Sequence, residues 1–220
     1  MKNPKGSPLL IATNNKGKVK ELQDLLQDMD IELVTPSQIN LELDVAEDGK
    51  TYAENATKKA IAFAEASHLV SLADDSGLEV DALNDAPGLY SARYSPKPGA
   101  TDKDRRIYLL QNLQDRPRPW TARFHATIAI AIPEKLWSST GLLSEMQEQA
   151  TAIHIVEGFC EGEIIPEERG TGGFGYDPIF LLQDLGKTMA ELSIEEKNRL
   201  SHRAKAVMKA KPKLRELFIE

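Results

Sequence analysis

The chain has 220 residues, 41% hydrophobic and 28% charged, which are the proportions of an ordinary soluble globular protein and enough length for one α/β domain or two small lobes. Its formal net charge of -7 argues against a broad electrostatic grip on nucleic acid, but local lysines and a metal ion can still hold a small polyanion. The single Cys160 excludes an internal disulfide framework and a cysteine-based zinc site, no apolar run approaches the ~20 residues of a membrane helix, and residues 1–8 (MKNPKGSP) lack a signal-peptide core, so a reducing, cytoplasmic setting is expected.

Residues 9–13 (LLIAT) form a short apolar run, predicted as a strand, that ends in the polar turn NNKGK at 14–18. Val19, Leu22, Leu25, Leu26 and Met29 recur at helical spacing, and Ile31–Val34 reads as a second strand, so the chain opens in the manner of α/β proteins. Residues 51–66 (TYAENATKKAIAFAEA) make an Ala-rich helix with Tyr52, Ala56, Ala60 and Phe63 on one stripe. Leu69–Ala73 is a strand running into Asp74-Asp75-Ser76-Gly77, and a helix at 102–114 carries Ile107, Leu110 and Leu113 on one side. Phe124–Ile132 and Ala152–Phe159 are long strands separated by a polar stretch at 133–151, too long for a tight hairpin and roomy enough for a short helix around 141–149. Residues 170–177 (GTGGFGYD) are a glycine-rich loop. Ser193 and Glu196 fit a capping box opening a late helix, and Pro212 should kink or interrupt any long one. No repeat or Pro/Ser linker divides the chain, so a single domain over 1–220, with two lobes, is expected.

Four regions hold residue types suited to chemistry. In Thr13-Asn14-Asn15-Lys16-Gly17-Lys18, helix-start N–H groups attract anions, lysines add full charge, Asn15 can read polar atoms and Gly17 allows close backbone approach. The same residues also suit an ordinary strand-to-helix turn with solvated lysines, and the glycine spacing is not that of a Walker loop. Asp74 and Asp75 lie where α/β folds place ligands; neighbours on a strand point to opposite faces, so one should face a site while the other lies behind it or orients the loop. An Asx turn before Gly77 is the competing reading. Glu47, in the polar AEDG segment, is a second carboxylate for a hard cation, and Mg2+ characteristically takes one or two carboxylates together with water and substrate phosphate oxygens.

In the glycine-rich loop, Gly172, Gly173 and Gly175 open backbone conformations closed to other residues. Phe174 and Tyr176 offer flat faces on which a base can stack, worth ~1–3 kcal/mol; a strained hairpin explains the loop equally well. Lys197 and His202 would point about 140° apart on one uninterrupted helix at ~3.6 residues per turn. Ser201 is a good N-cap for a new helix starting at His202, and a break at Arg199–Leu200 would let Lys197 and the Ser-His-Arg segment face one pocket. The residues alone leave both arrangements open. His68, His125 and His154 lack metal-ligand spacing and read as structural, Cys160 sits in an apolar strand and reads as inert, and Ser76 lacks the partners of a nucleophilic triad.

Five stretches, LLIATNNKGKVKELQDLL (9–26), EDGKTYAENATKKA (47–60), LADDSGLEVDALNDAPGLYSARYS (72–95), GTGGFGYDPIF (170–180) and AELSIEEKNRLSHRAKA (190–206), together closely resemble the inosine triphosphate pyrophosphatase family, enzymes that remove ITP, dITP and XTP. The resemblance implies a long, curved mixed sheet with flanking helices, two lobes around a nucleotide cleft, Mg2+ as cofactor, a homodimer, and neither nucleic acid nor membrane as partner. It also implies roles residue by residue. Thr13, Asn14, Asn15, Lys16, Gly17 and Lys18 match a phosphate-contacting loop, with Lys59 near the triphosphate. Glu47 and Asp75 match metal ligands, Asp75 also the proton acceptor, and Asp74 stands behind them. Ser76 matches a nucleotide-contacting hydroxyl; Phe174, Gly175, Tyr176 and Asp177 match a base-binding loop; Lys197, His202 and Arg203 match further substrate contacts. The segment 133–151 is longer than the family's usual connection; its Trp137 and Leu142-Leu143 suit either a partner patch or a self-packed loop.

Overall fold

Leu9–Ile11 (β1) is fully buried and lies between two parallel neighbours, Leu33–Val34 (β2) and Ser71–Val80 (β3), with Leu10 registered on Val34 on one side and Ser71 on the other. The computed structural model describes residues 7–133 and 151–219; the expected helix around 141–149, Trp137 and Leu142-Leu143 lie outside them. Trp120–Ile132 (β4), Ala152–Ile164 (β5), Phe180–Leu182 (β6) and Lys187–Thr188 (β7) complete a seven-stranded mixed sheet in the order β2-β1-β3-β4-β5-β6-β7, the last two pairings antiparallel. The helices are Lys16–Leu26 (α1), Tyr52–Ser67 (α2), Asp102–Leu113 (α3), Ile194–Leu200 (α4) and His202–Phe218 (α5). None of them is long and apolar enough to cross a membrane.

Two compact units share these elements. The first takes in the described residues of Met1–Asp75, Thr127–Glu157 and Ala206–Glu220, the second Ser76–Ala126 and Gly158–Lys205. In the first, the predicted stripe of α2 (Ala56, Ala60 and Phe63, joined by Ala64) packs on Leu10, Ala12, Ala73, Ala129 and Ala131. Small residues on both sides let helix and sheet approach closely. In the second, Leu78, Val80, Trp120, Phe124, Tyr176, Phe180 and Met189 pack with Leu109 and Leu113 of α3.

Several expectations need correction. β3 does not end before Asp74 but continues to Val80, so Asp74-Asp75-Ser76 is strand and not an Asx turn. On α3 the expected Leu113 is buried and Leu110 packs against the core, but the third buried position is Leu109 and Ile107 is exposed. α5 runs through Pro212 without interruption. Of the two arrangements the residues leave open, the chain takes the broken one, with the break at Ser201 just after Arg199–Leu200: Ser201 closes α4 by donating its N–H to the Lys197 carbonyl at 3.0 Å, and its Oγ accepts the Ala204 N–H at 3.1 Å as the cap of α5.

Candidate active site

In the first unit, acids and lysines gather where β1 and β3 meet the starts of α1 and α2. Asn15 caps α1, its Oδ1 accepting from the backbone N–H of Gly17 at 2.9 Å and Lys18 at 3.1 Å, and its own N–H donates to Thr13 Oγ1 at 3.2 Å. Two of the N–H groups that an anion would seek are therefore occupied by Asn15 itself, and the positive character of this loop rests on its side chains. Lys16 is exposed. Lys18 Nζ lies 2.9 Å from Asp74 Oδ2 and 3.3 Å from the Asp74 carbonyl oxygen.

Lys59 is the hub of the cluster. From the third turn of α2 its Nζ reaches Glu47 Oε1 at 2.8 Å, Asp75 Oδ1 at 3.3 Å and the Asp74 carbonyl at 3.1 Å. Burial works against its charge, but the carboxylates of Asp75, Glu47 and Asp74 outweigh that and raise its pKa above the ordinary lysine value. The strand alternation separates the two aspartates: Asp74, 2% exposed, pairs with Lys18, and Asp75 with Lys59. Asn55 was given no role from sequence. It is 2% exposed; its Nδ2 donates to Asp75 Oδ2 at 3.1 Å, and its Oδ1 accepts the Gly49 N–H at 2.8 Å. A polar residue three positions after Tyr52, beside the buried stripe, was the available signal, since a buried amide demands partners.

Glu47 and Asp75 thus converge on one positive centre, with the Lys59 ammonium standing where a cation would be held. Two hard carboxylates are a donor set that suits a divalent cation, which completes its shell with water and substrate oxygens. Among the described residues no group of three or more His, Cys, Asp and Glu side chains has metal-holding geometry.

In the second unit, the glycine-rich loop and the α4–α5 break come together. Phe174 is half-buried; its ring centroid lies 5.5 Å from Lys197 Nζ and 5.9 Å from the Arg203 guanidinium carbon. Asp177, 5% exposed, accepts from Lys197 Nζ at 2.8 Å and from the Phe174 N–H at 3.0 Å through the same Oδ2. Gly173 has φ +71°, and a Cβ there would sit 1.9 Å from that oxygen, so any other residue must push the Asp177 carboxylate aside. Arg203, 2% exposed, donates from Nη2 to Ser76 Oγ at 3.0 Å. His202 stacks on Phe124 with centroids 4.8 Å apart.

Tyr176 departs from the expectation of a second stacking face. Its ring is 4% exposed inside the core, its hydroxyl donates to the Ser91 carbonyl at 2.9 Å, and burial pushes its phenol pKa up. The loop therefore presents one aromatic face, Phe174. Cys160 is buried and burial pushes its thiol up to about 11, as suits an inert residue. His68 caps α2 in the left-handed region, and His125 lies tilted against Phe159, ring centroids 4.2 Å apart.

The family model described as the Ham1 family matches residues 9–213. A dITP/XTP pyrophosphatase of Desulforamulus reducens is 46% identical over 213 residues, covering 96% of this chain and 97% of the relative. One from Desulfotalea psychrophila is 44% identical, covering 92% and 83%. Among solved structures, a HAM1 protein from Coxiella burnetii has a TM-score of 0.79 at 38% identity, covering 96% of this chain and 99% of that one. The family match takes in every segment from the Asn15 cap to Arg203, and the chain belongs to the Ham1 family.

Proposed function

We propose that the protein is a nucleoside triphosphate pyrophosphohydrolase acting on non-standard purine nucleotides (ITP, dITP and XTP), releasing the nucleoside monophosphate and pyrophosphate and so cleansing the nucleotide pool. The observation that carries the reading is the convergence of Glu47 and Asp75 on one cation position beside Lys18 and Lys59. Binding alone does not require that arrangement, whereas phosphate hydrolysis uses both a metal-binding acid pair and neutralising lysines. The names carried by the relatives from Desulforamulus and Desulfotalea support the same substrate class.

The metal in this reading is Mg2+, held by Glu47 and Asp75, where it supplies positive charge to the phosphate oxygens. Asp75 accepts the proton of the attacking water, and the bond between the α- and β-phosphates breaks. Lys16, Lys18 and Lys59 neutralise the departing pyrophosphate; Lys59 does so once released from its two carboxylates. Asn55 fixes the second oxygen of Asp75 and thereby the direction of its first. Thr13, Asn14 and Gly17 complete the triphosphate end.

In the second unit Phe174 offers the face on which the purine stacks, with Gly175, Tyr176 and Asp177 shaping that loop. Ser76, Lys197, His202 and Arg203 contact the nucleotide. A donor such as Arg203 suits a 6-oxygen and meets an opposing donor when adenine enters, a mismatch that discriminates strongly in a buried site. By the family resemblance the protein pairs as a homodimer in solution, which light scattering measures directly.

Pyrophosphate release across ITP, XTP, ATP, GTP and dUTP with Mg2+ tests the reading. ITP and XTP should turn over far faster than ATP and GTP. Preference for dUTP would reassign the enzyme to pyrimidine nucleotides, and tight ITP binding without pyrophosphate release would make it a sensor.

A further inference from the structure

Helix α3 contributed none of the sequence motifs, yet its first two turns hold the glycine-rich loop. Asp102 Oδ2 accepts the Gly175 N–H at 2.8 Å, and Arg106 Nη1 donates to the Gly175 carbonyl at 2.7 Å. Residues 102 and 106 are four apart on one helix and share a face. Both polar groups of a single residue's backbone are therefore taken by one helix.

The grip is itself braced. Arg106 turns its Nε and Nη2 onto the two oxygens of Glu168 at 2.9 and 3.0 Å, the bidentate geometry that fixes a guanidinium plane. Arg105 pairs with the other oxygen of Asp102. Burial raises the Asp102 pKa, but the Gly175 N–H and Arg105 outweigh it and hold the carboxyl below its ordinary range, so the acceptor is ionised at neutral pH.

What this grip controls is the ring one residue earlier. The Gly175 N–H belongs to the peptide plane that leaves Phe174, and the Phe174 N–H is anchored on Asp177. With the planes on both sides of its Cα tied, Phe174 can hold its ring beside Lys197 and Arg203. Gly175, at φ +62°, would not keep that conformation unaided, since glycine has the widest conformational choice.

We infer that Asp102 and Arg106 are positioning residues for purine recognition, acting through the backbone of Gly175 to fix Phe174. The inference rests on the nucleotide reading above. Its test measures ITP kinetics of the full chain with Mg2+ alongside inhibition by inorganic pyrophosphate, a probe of the acid–lysine cluster. In Asp102→Ala and Arg106→Met, KM for ITP should rise about tenfold with kcat within about twofold, as for loss of one charge-assisted hydrogen bond. Asp102→Asn keeps an oxygen for the Gly175 N–H and should return KM to within about threefold of wild type. Inhibition by pyrophosphate should be unchanged in all three.

Circular dichroism identifies the folded variants, and if Asp102→Ala does not fold, Arg106→Met and Asp102→Asn decide. An unchanged KM in folded Asp102→Ala or Arg106→Met overturns the inference and leaves the hydrolase reading standing. So does an equal rise in Asp102→Asn, or a pyrophosphate inhibition constant that moves in step. A wild-type chain that releases no pyrophosphate from ITP overturns both.

Discussion

Lys59, Asp75 and Asn55 form a chain of contacts in which each oxygen of Asp75 has its own partner, Oδ1 with Lys59 and Oδ2 with Asn55. Asp75→Asn keeps the shape of that carboxylate and removes its charge, leaving Lys59 its bond to Glu47. Turnover of ITP should fall about a thousandfold, the scale of losing a positioned general base, while the melting temperature changes little. Activity within about tenfold of wild type would remove Asp75 from the chemistry. The acids and lysines were legible in the sequence because ionisable residues clustered beside buried strands have few structural uses. The cap made by Asn15 was not legible, because the same carbonyl oxygen can accept from a ligand or from its own helix. Asp102 and Arg106 gave no local sign at all: their partner, Gly175, is 73 and 69 residues away.

At the scale of elements, strands and helices followed their hydrophobic periods; beyond Ile107 on α3 and Pro212 in α5, the misreading falls where polar residues enter a strand. Asp74-Asp75-Ser76 reads as a turn, yet it remains strand because Lys18, Lys59 and Arg203 partner each side chain in turn. A buried polar run is tolerated only with such partners, and they come from distant parts of the chain. The α4–α5 break could be read because its cap is local, Ser201 serving Ala204. The glycine-rich loop is the element most sensitive to a single methyl group. Gly173→Ala places a Cβ against the Asp177 oxygen that also holds Phe174 and Lys197, in a left-handed conformation that alanine resists. ITP turnover should drop at least about tenfold, since small misplacements of binding groups cost about that much or more. Global stability should fall by about 1–2 kcal/mol from the left-handed strain, and further as the displaced Asp177 carboxylate loses its bonds to Phe174 and Lys197. Near-wild-type kcat/KM in Gly173→Ala would mean that the loop does not contact substrate.

At the scale of the molecule, each unit has its own apolar core and its own polar cluster, and the two clusters differ in what they can titrate. The acid–lysine cluster contains no histidine. Because the pKa of Lys59 is raised above 10.5, its charge, and the stability it contributes, is complete below that value and lost only as pH climbs through the higher folded one. Lysine charge therefore persists while water activation and triphosphate ionisation improve, and activity should rise from about pH 6 to about pH 9. A sharp optimum near pH 6 would instead point to histidine acid–base chemistry. The two clusters should also separate in kinetics. Lys18, in the first unit, is proposed to face the triphosphate common to every nucleotide, so Lys18→Ala should weaken ITP, XTP and residual ATP hydrolysis by about the same factor. Arg203, in the second, is proposed to serve the base, where a charged donor to a purine oxygen is worth ~1.5–3 kcal/mol. Arg203→Ala should lower kcat/KM for ITP and XTP about 10- to 100-fold more than for ATP. Arg203 is 2% exposed, so its removal will also cost stability. Comparing substrates within one variant cancels that loss, because every substrate meets the same folded fraction. An ITP-to-ATP ratio that is unchanged in Arg203→Ala, or that collapses in Lys18→Ala, would reverse the assignment of the base and phosphate ends.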